Sequence, residues 1–225
     1  MLSDLSAAVI AIDGTMNPTI HHPTWYQLIG LLSWEDTAFA TAGRHLLVTP
    51  SVSTFRVPAF ALRCKRERWE IRTVSREART RILNVALKTF DDLLPQTPVT
   101  GFHFTFRFSI EVPHERAADF FGGALREVAP IEGRGERVLM MSTVTVDDTK
   151  RRLFQVRLLP EGNQLLVKHR FSYAVRAKGM YTLRQMSMSE DYDLDYEEAV
   201  TRTEQLAAKL THKGSRRSGG NTISN

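Results

Sequence analysis

Apolar and polar residues alternate without a break over Thr100–Val112. Phe102, Phe104, Phe106, Phe108, Ile110 and Val112 fall on one side; Gly101, His103, Thr105, Arg107, Ser109 and Glu111 fall on the other. Period-two alternation of this length predicts a long strand with one buried face and one polar face. Val138–Val146, Leu153–Leu159 and Leu165–Val175 predict three further antiparallel strands, with turn residues at Asp147-Asp148 and Pro160–Asn163. In the last of these, Lys168, Arg170 and Ser172 alternate with apolar positions. Nearer the N-terminus, Ala7–Ile12 is apolar on both faces and predicts a short buried strand. Leu46–Thr49, Phe60–Cys64 and Trp69–Ser75 add strands, the last two as a hairpin around Glu67-Arg68.

Helical spacing appears between the strands. Trp25, Leu28, Ile29 and Leu32 form a stripe that predicts a helix from Pro23 to Leu32. Ile82, Val85, Ala86, Phe90 and Leu93 predict a second over Arg76–Leu94, stopped by Pro95. A third is predicted over His114–Ala129, with a loop at Ile131–Arg137. A fourth spans Tyr196–Leu210, with Asp195 as its N-cap and Glu197 and Glu198 in its first turn. Arg176–Ser189 has no clear pattern. The order β-α-β-β-β-α-β followed by α-β-β-β-α predicts an α+β fold, a mostly antiparallel sheet with packed helices. Two loosely similar α+β halves are expected, over 1–112 and 113–210, with a solvated basic tail over 211–225.

The stretch NPTIHHPTW, Asn17–Trp25, is a candidate site because His21 and His22 are adjacent. Neighbouring residues in extended chain point to opposite sides, so the pair is poorly placed to hold one metal ion. Pro23 suits a first helical position, which makes His22 the cap. The sequence therefore predicts a strand-to-helix junction, with Trp25 in the core and His21→Ala almost silent.

Hydrophobic residues make up 42% of the 225-residue chain and charged residues 24%, as in an ordinary globular protein. Cys64 is the single cysteine, so no intramolecular disulfide and no multi-cysteine zinc site can form; it reads as a packing residue. No signal segment or run of ~20 apolar residues occurs, so a cytoplasmic protein with no membrane partner is expected. The net charge of +5 matters less than its distribution. Thr211–Asn225 carries Lys213, Arg216 and Arg217 and no acid, so that +5 less this +3 leaves +2 on Met1–Leu210. Arg44–Arg81 holds ten Lys/Arg against three Glu, and Glu190–Glu198 holds six acids and no base.

The basic cluster Arg63, Lys65, Arg66, Arg68, Arg72, Arg76, Arg79 and Arg81 is the candidate contact for nucleic acid or another anionic partner, with Trp69 as a stacking face. The polar side of the long strand, His103, Arg107 and Glu111, is a candidate partner surface. These three stand ~13 Å apart in turn at ~3.3 Å per residue, too far for direct contact. Asp191, Asp193 and Asp195 sit at calcium-loop positions one, three and five, but Tyr196 and Arg202 replace the required Gly and Glu. A capping, solvated or partner-facing acidic stretch is expected instead. G-x-S-x-G, G-x-x-x-x-G-K-[ST], H-E-x-x-H and G-x-G-x-x-G do not occur. No catalytic residue, cofactor or metal is predicted.

Ala8–Ile12, Asn17–Ile20, Pro23–Trp25 and Thr97–Gly101 together resemble a group of functionally uncharacterised, sporadically distributed bacterial proteins. That group shares a strand followed by N-P-x-I-x-x-P-x-W and a T-P-[IV]-T-G entry into a long strand. His21 and His22 are not part of the pattern. The resemblance implies no activity; its distribution is compatible with mobile-element or phage-defence genes. The first expectation is a non-enzymatic protein that binds another protein or itself, as a subunit or accessory factor of a bacterial assembly. The alternative is a nucleic-acid-binding protein using Arg63–Arg81. A third is an enzyme with a motif-free site near His103, Arg107 and His169.

Overall fold

The computed structural model describes residues 4–42, 46–112, 137–158, 164–175, 183 and 187–212. The predicted helix over His114–Ala129, the loop at 131–136, most of Arg176–Ser189 and the basic tail from residue 213 onward lie outside the described residues; Thr211 and His212, expected in the tail, are helical.

Nine described strands form one antiparallel sheet: β1 Asp4–Gly14, β2 Leu47–Val48, β3 Val52–Arg56, β4 Ala61–Lys65, β5 Arg68–Thr73, β6 Val99–Glu111, β7 Arg137–Thr145, β8 Lys150–Leu158 and β9 Gln164–Ala174. The helices are α1 Pro23–Leu28, α2 Trp34–Ala42, α3 Arg79–Leu87 and α4 Met188–His212, and a wider π turn over Lys88–Leu93 continues α3. The fold is α+β, as the element order predicts. Across the sheet the order is β2-β3-β4-β5-β1-β6-β9-β8-β7. From the central β1–β6 pair outward it reads β5, β4, β3 on one side and β9, β8, β7 on the other. Ile10 stands opposite Phe104 at that centre.

One face carries the core. The five apolar side chains of β6 predicted to face inward, and Val112 just after it, are all buried, beside Ile10 and Ile12 of β1, Trp69 and Ile71 of β5, and Val167 and Phe171 of β9. Helices α3 and α4 cover this face. Phe90 meets Trp69 edge-on at 5.3 Å between ring centres, and Tyr192 meets Phe104 edge-on at 5.0 Å.

Two sequence expectations change, at α1 and α4, and two elements, β3 and α2, have no counterpart in the predicted order. The helix at Pro23 ends at Leu28, two residues before Gly30 at φ 72°, so Leu28 is 81% exposed and Tyr26 takes the core position. Strand β3 carries its inward face on Ser53 and Phe55, a pattern with too few apolar residues to stand out. Helix α2 buries Thr37 and Ala40 while Trp34 and Phe39 stay exposed, which inverts the usual stripe. Helix α4 starts at Met188, so Asp195 lies inside it and not at its cap.

Candidate nucleic-acid interface

Directly opposed residues of neighbouring strands share a face, so the register defines the side opposite the core row by row. Arg56 opposes Ala61, which opposes Arg72, then Val9, Thr105 and Arg170. Arg63 opposes Glu70, then Ala11, His103, Ser172 and Arg151. Lys65 opposes Arg68 and Asp13, and Ala7 opposes Arg107 and Lys168. Ser109 opposes Leu166 and Arg157. No described helix packs on this side. It gathers ten cations (Arg56, Arg63, Lys65, Arg68, Arg72, Arg107, Arg151, Arg157, Lys168, Arg170) against four acids, Asp4, Asp13, Glu70 and Glu111.

The centre of the face is floored by small side chains, Ala7, Val9, Ala11, Gly101 and Thr105, on β1 and β6. Cations flank it on β4–β5 and on β9–β8. Four strands at ~4.8 Å spacing put β5 and β9 about 14 Å apart across this floor. Asp13 is the acid at the Gly101 end of this floor. Its carboxylate accepts from His103 Nε2–H at 2.5 Å and faces Arg68 Nη1 at 3.3 Å. His103 Nδ1 is then buried without a hydrogen-bond partner among the described residues. Burial lowers the His103 pKa, opposed by Asp13 and reinforced by Arg170 and Arg68, so the ring is neutral at pH 7. Burial also pulls Lys168 and Arg170 below their ordinary values. Repulsion from Arg107, Arg170 and Arg157 adds to the effect at Lys168, and repulsion from Arg68 adds to it at Arg170. Positive groups are thus held close together; Asp13 pairs with Arg68, and Asp13 and Glu70 also attract Arg170.

The basic cluster seen in the sequence is divided by the fold. Arg63, Lys65, Arg68 and Arg72 stand on the open face. Arg66 lies in the β4–β5 turn, where its Nε donates to the Pro50 carbonyl at 3.3 Å. Arg76 lies in the connection before α3. Arg79 pairs with Asp193 at 2.7 Å and its guanidinium sits 4.0 Å from the centre of the Tyr196 ring, on the helical side. Arg81 pairs with Asp36 at 2.5 Å. Trp69 is fully buried and offers no stacking surface. His103 and Arg107 do lie on the open face, and Glu111 lies at its edge opposite Gln164. The cations of β8 and β9 complete the surface; their alternation is visible in the sequence, but their pairing with β6 is not.

The residues of the motif-free enzyme reading separate. His169 is on the core face, where its Nε2 lies 2.9 Å from the Thr203 hydroxyl. Since Thr203 donates to the Ala199 carbonyl at 2.7 Å, His169 is the donor to Thr203. Burial, aided by Arg202, lowers its pKa to about 4. Cys64 is buried and its thiol is pushed up to about 12, chiefly by burial, so it is no nucleophile. Among the described residues no three His, Cys, Asp or Glu side chains are placed to hold a metal, and no helix is long and apolar enough to cross a membrane.

No family model matches the chain, and no curated protein matches its sequence.

Proposed function

We propose that this protein binds nucleic acid through the phosphate backbone, using the open face of its sheet. The observation that carries this reading is the cation pattern. Arg56, Arg63, Lys65, Arg72, Arg107, Arg151, Lys168 and Arg170 share one face and form no ion pair with any described residue. Holding unpaired cations together is unfavourable without a counter-charge, and a chain of phosphates supplies one. Arginine predominates, and its planar fork matches phosphate oxygens better than a lysine point charge does. Trp69 is buried and no other described Phe, Tyr or Trp lies on this face, so contacts fall on phosphates and sugars and carry little sequence preference. The ~14 Å floor between β5 and β9 suits a single strand better than a ~20 Å duplex.

The test is binding of a labelled single-stranded oligonucleotide over a range of salt. Each phosphate neutralised contributes about −0.7 to the slope of log K against log salt. Lys168→Ala/Arg170→Ala should therefore weaken binding at least tenfold and reduce the slope by roughly 1.4. A wild-type protein that does not bind at low salt overturns the proposal.

A second reading, a protein partner, is favoured by the outermost strand β7. Met141 and Val144 on that strand and Val146 just after it are exposed, and edge strands accept a further strand from another chain. Native mass measurement of the protein from its own host checks it; a lone monomer counts against it.

A further inference from the structure

A cavity of about 320 Å3 lies at one end of the open face, where the β3–β4 turn and the end of β5 rise beside the start of β1. We propose that this cavity binds a terminal phosphomonoester, the phosphorylated end of a strand lying on the face. The inference rests on the nucleic-acid reading above and names the part of the ligand recognised here.

Three arginines from three strands line it: Arg56 of β3, Arg72 of β5 and Arg107 of β6. Arg56 and Arg72 both oppose Ala61, and Arg107 opposes Ala7. Small side chains between the three leave room for their guanidiniums to converge on one group. Glu70 is the single acid in the lining, and it is already shared with Arg68 at 3.9 Å. The formal charge is therefore three positive less one negative, or +2. A phosphomonoester carries about −1.5 to −2 at pH 7 against −1 for a backbone diester, so the terminal group matches the cavity better. Three terminal oxygens also accept paired guanidinium N–H groups more fully than the two of a diester.

Ser6 supplies an independent sign of a missing partner. It sits at a bulge of β1, where the register against β6 shifts between Leu5 and Ala7. It lines the cavity, and its Oγ is buried with no hydrogen-bond partner among the described residues. Buried hydroxyls are normally bonded, and a phosphate oxygen would accept from this one.

The cavity also has a wall. The β3–β4 turn is closed by Val57 N–H donating to Phe60 O at 2.9 Å, and Thr73 Oγ1 ties it to β5 by donating to Ala59 O at 2.7 Å.

The same chemistry is offered by a free mononucleotide, so the test uses both sources with the full chain. Single-stranded oligonucleotides of one sequence, carrying a 5′-phosphate, a 3′-phosphate or neither, are compared by fluorescence anisotropy, and AMP is titrated by calorimetry. One phosphorylated end is expected to bind about tenfold more tightly than the unphosphorylated strand, as charged hydrogen bonds of this kind allow. In Arg56→Ala/Arg107→Ala the ratio between the two strands should fall to about one, whereas Lys168→Ala/Arg170→Ala should weaken both strands and keep the ratio. Equal affinity of the wild type for all three strands overturns the pocket and leaves the face intact. AMP binding that Arg56→Ala/Arg107→Ala abolishes, without oligonucleotide binding, upholds the phosphomonoester pocket and overturns the strand. No binding of any probe overturns both.

Discussion

His21 and His22 show how much a single position depends on what surrounds it. His22 is the cap of α1: its Nδ1 accepts from the Trp25 amide at 3.3 Å. His21 is no bystander. It is 1% exposed, and its carbonyl accepts from the Ser53 hydroxyl. Trp69 Nε1 can only donate, so the Tyr26 hydroxyl accepts from Trp69 at 3.1 Å, and the same oxygen lies 2.8 Å from His21 Nδ1, within hydrogen-bond distance. The chain Trp69–Tyr26–His21 ties β5 to the segment before α1. The sequence expectation of a nearly silent His21→Ala is therefore replaced. The change removes a buried ring and takes one of its partners from the Tyr26 hydroxyl, at a cost of about 2–4 kcal/mol. Urea unfolding of the variant measures it; a midpoint within error of wild type contradicts this account.

At the scale of elements, α4 reverses the reading of the acidic run. EDYDLDYEE is the first half of a 25-residue helix, and its tyrosines carry the buried stripe with Ala199 and Thr203. Asp195 is 1% exposed and accepts from Lys150 Nζ at 2.8 Å and from the Tyr173 hydroxyl at 2.5 Å. Lys150 also lies 3.6 Å from Asp191. Burial still pushes the Asp195 carboxyl above its ordinary range, because two partners do not fully replace water. The acids that drew attention as a surface feature thus pin α4 to β8 and β9. Lys150→Met should destabilise the fold by about 3–5 kcal/mol by leaving Asp195 buried and unpaired. Lys150→Met/Asp195→Asn should recover part of that loss, giving a coupling energy in a double-mutant cycle. Additive effects would show that the pair is not coupled.

The whole molecule is a sheet whose two faces have been given opposite tasks: one is dry and aromatic, the other open and positive. The dry side makes the protein acid-sensitive. His21 and His169 both sit there with pKa values lowered to about 4, in each case first by burial. A histidine with a depressed folded value contributes its full stability above the unfolded value near 6.5. That contribution is lost as pH falls toward 4, on the order of 3 kcal/mol for each ring. Denaturant unfolding between pH 7 and 4 should show a steady fall in stability, and His169→Gln should flatten its lower part. A flat profile would mean that these rings are reached by water in the folded state.

Much of this architecture is legible in the chain itself. The alternation of Thr100–Val112 determines a two-faced strand whatever it pairs with, because side chains leave a strand on alternate sides. Pro23, Pro95 and the cap at His22 determine helix boundaries through local chemistry alone. The antiparallel α+β class follows from the element order. Other features required the tertiary structure. Helix α2 has no readable stripe because Thr37 and Ala40, rather than Trp34 and Phe39, meet the sheet. Strand β3 buries Ser53 against a backbone carbonyl that sequence does not reveal. The basic surface was half visible, at Arg63–Arg72. Its other half, Arg107, Arg151, Lys168 and Arg170, lies up to about a hundred residues away in sequence, and only strand pairing brings it alongside. The same pairing took Arg79 and Arg81 out of the cluster and gave them to Asp193 and Asp36. Local sequence determines which face a residue can occupy; which cations share a face is decided by register, a property of the folded sheet.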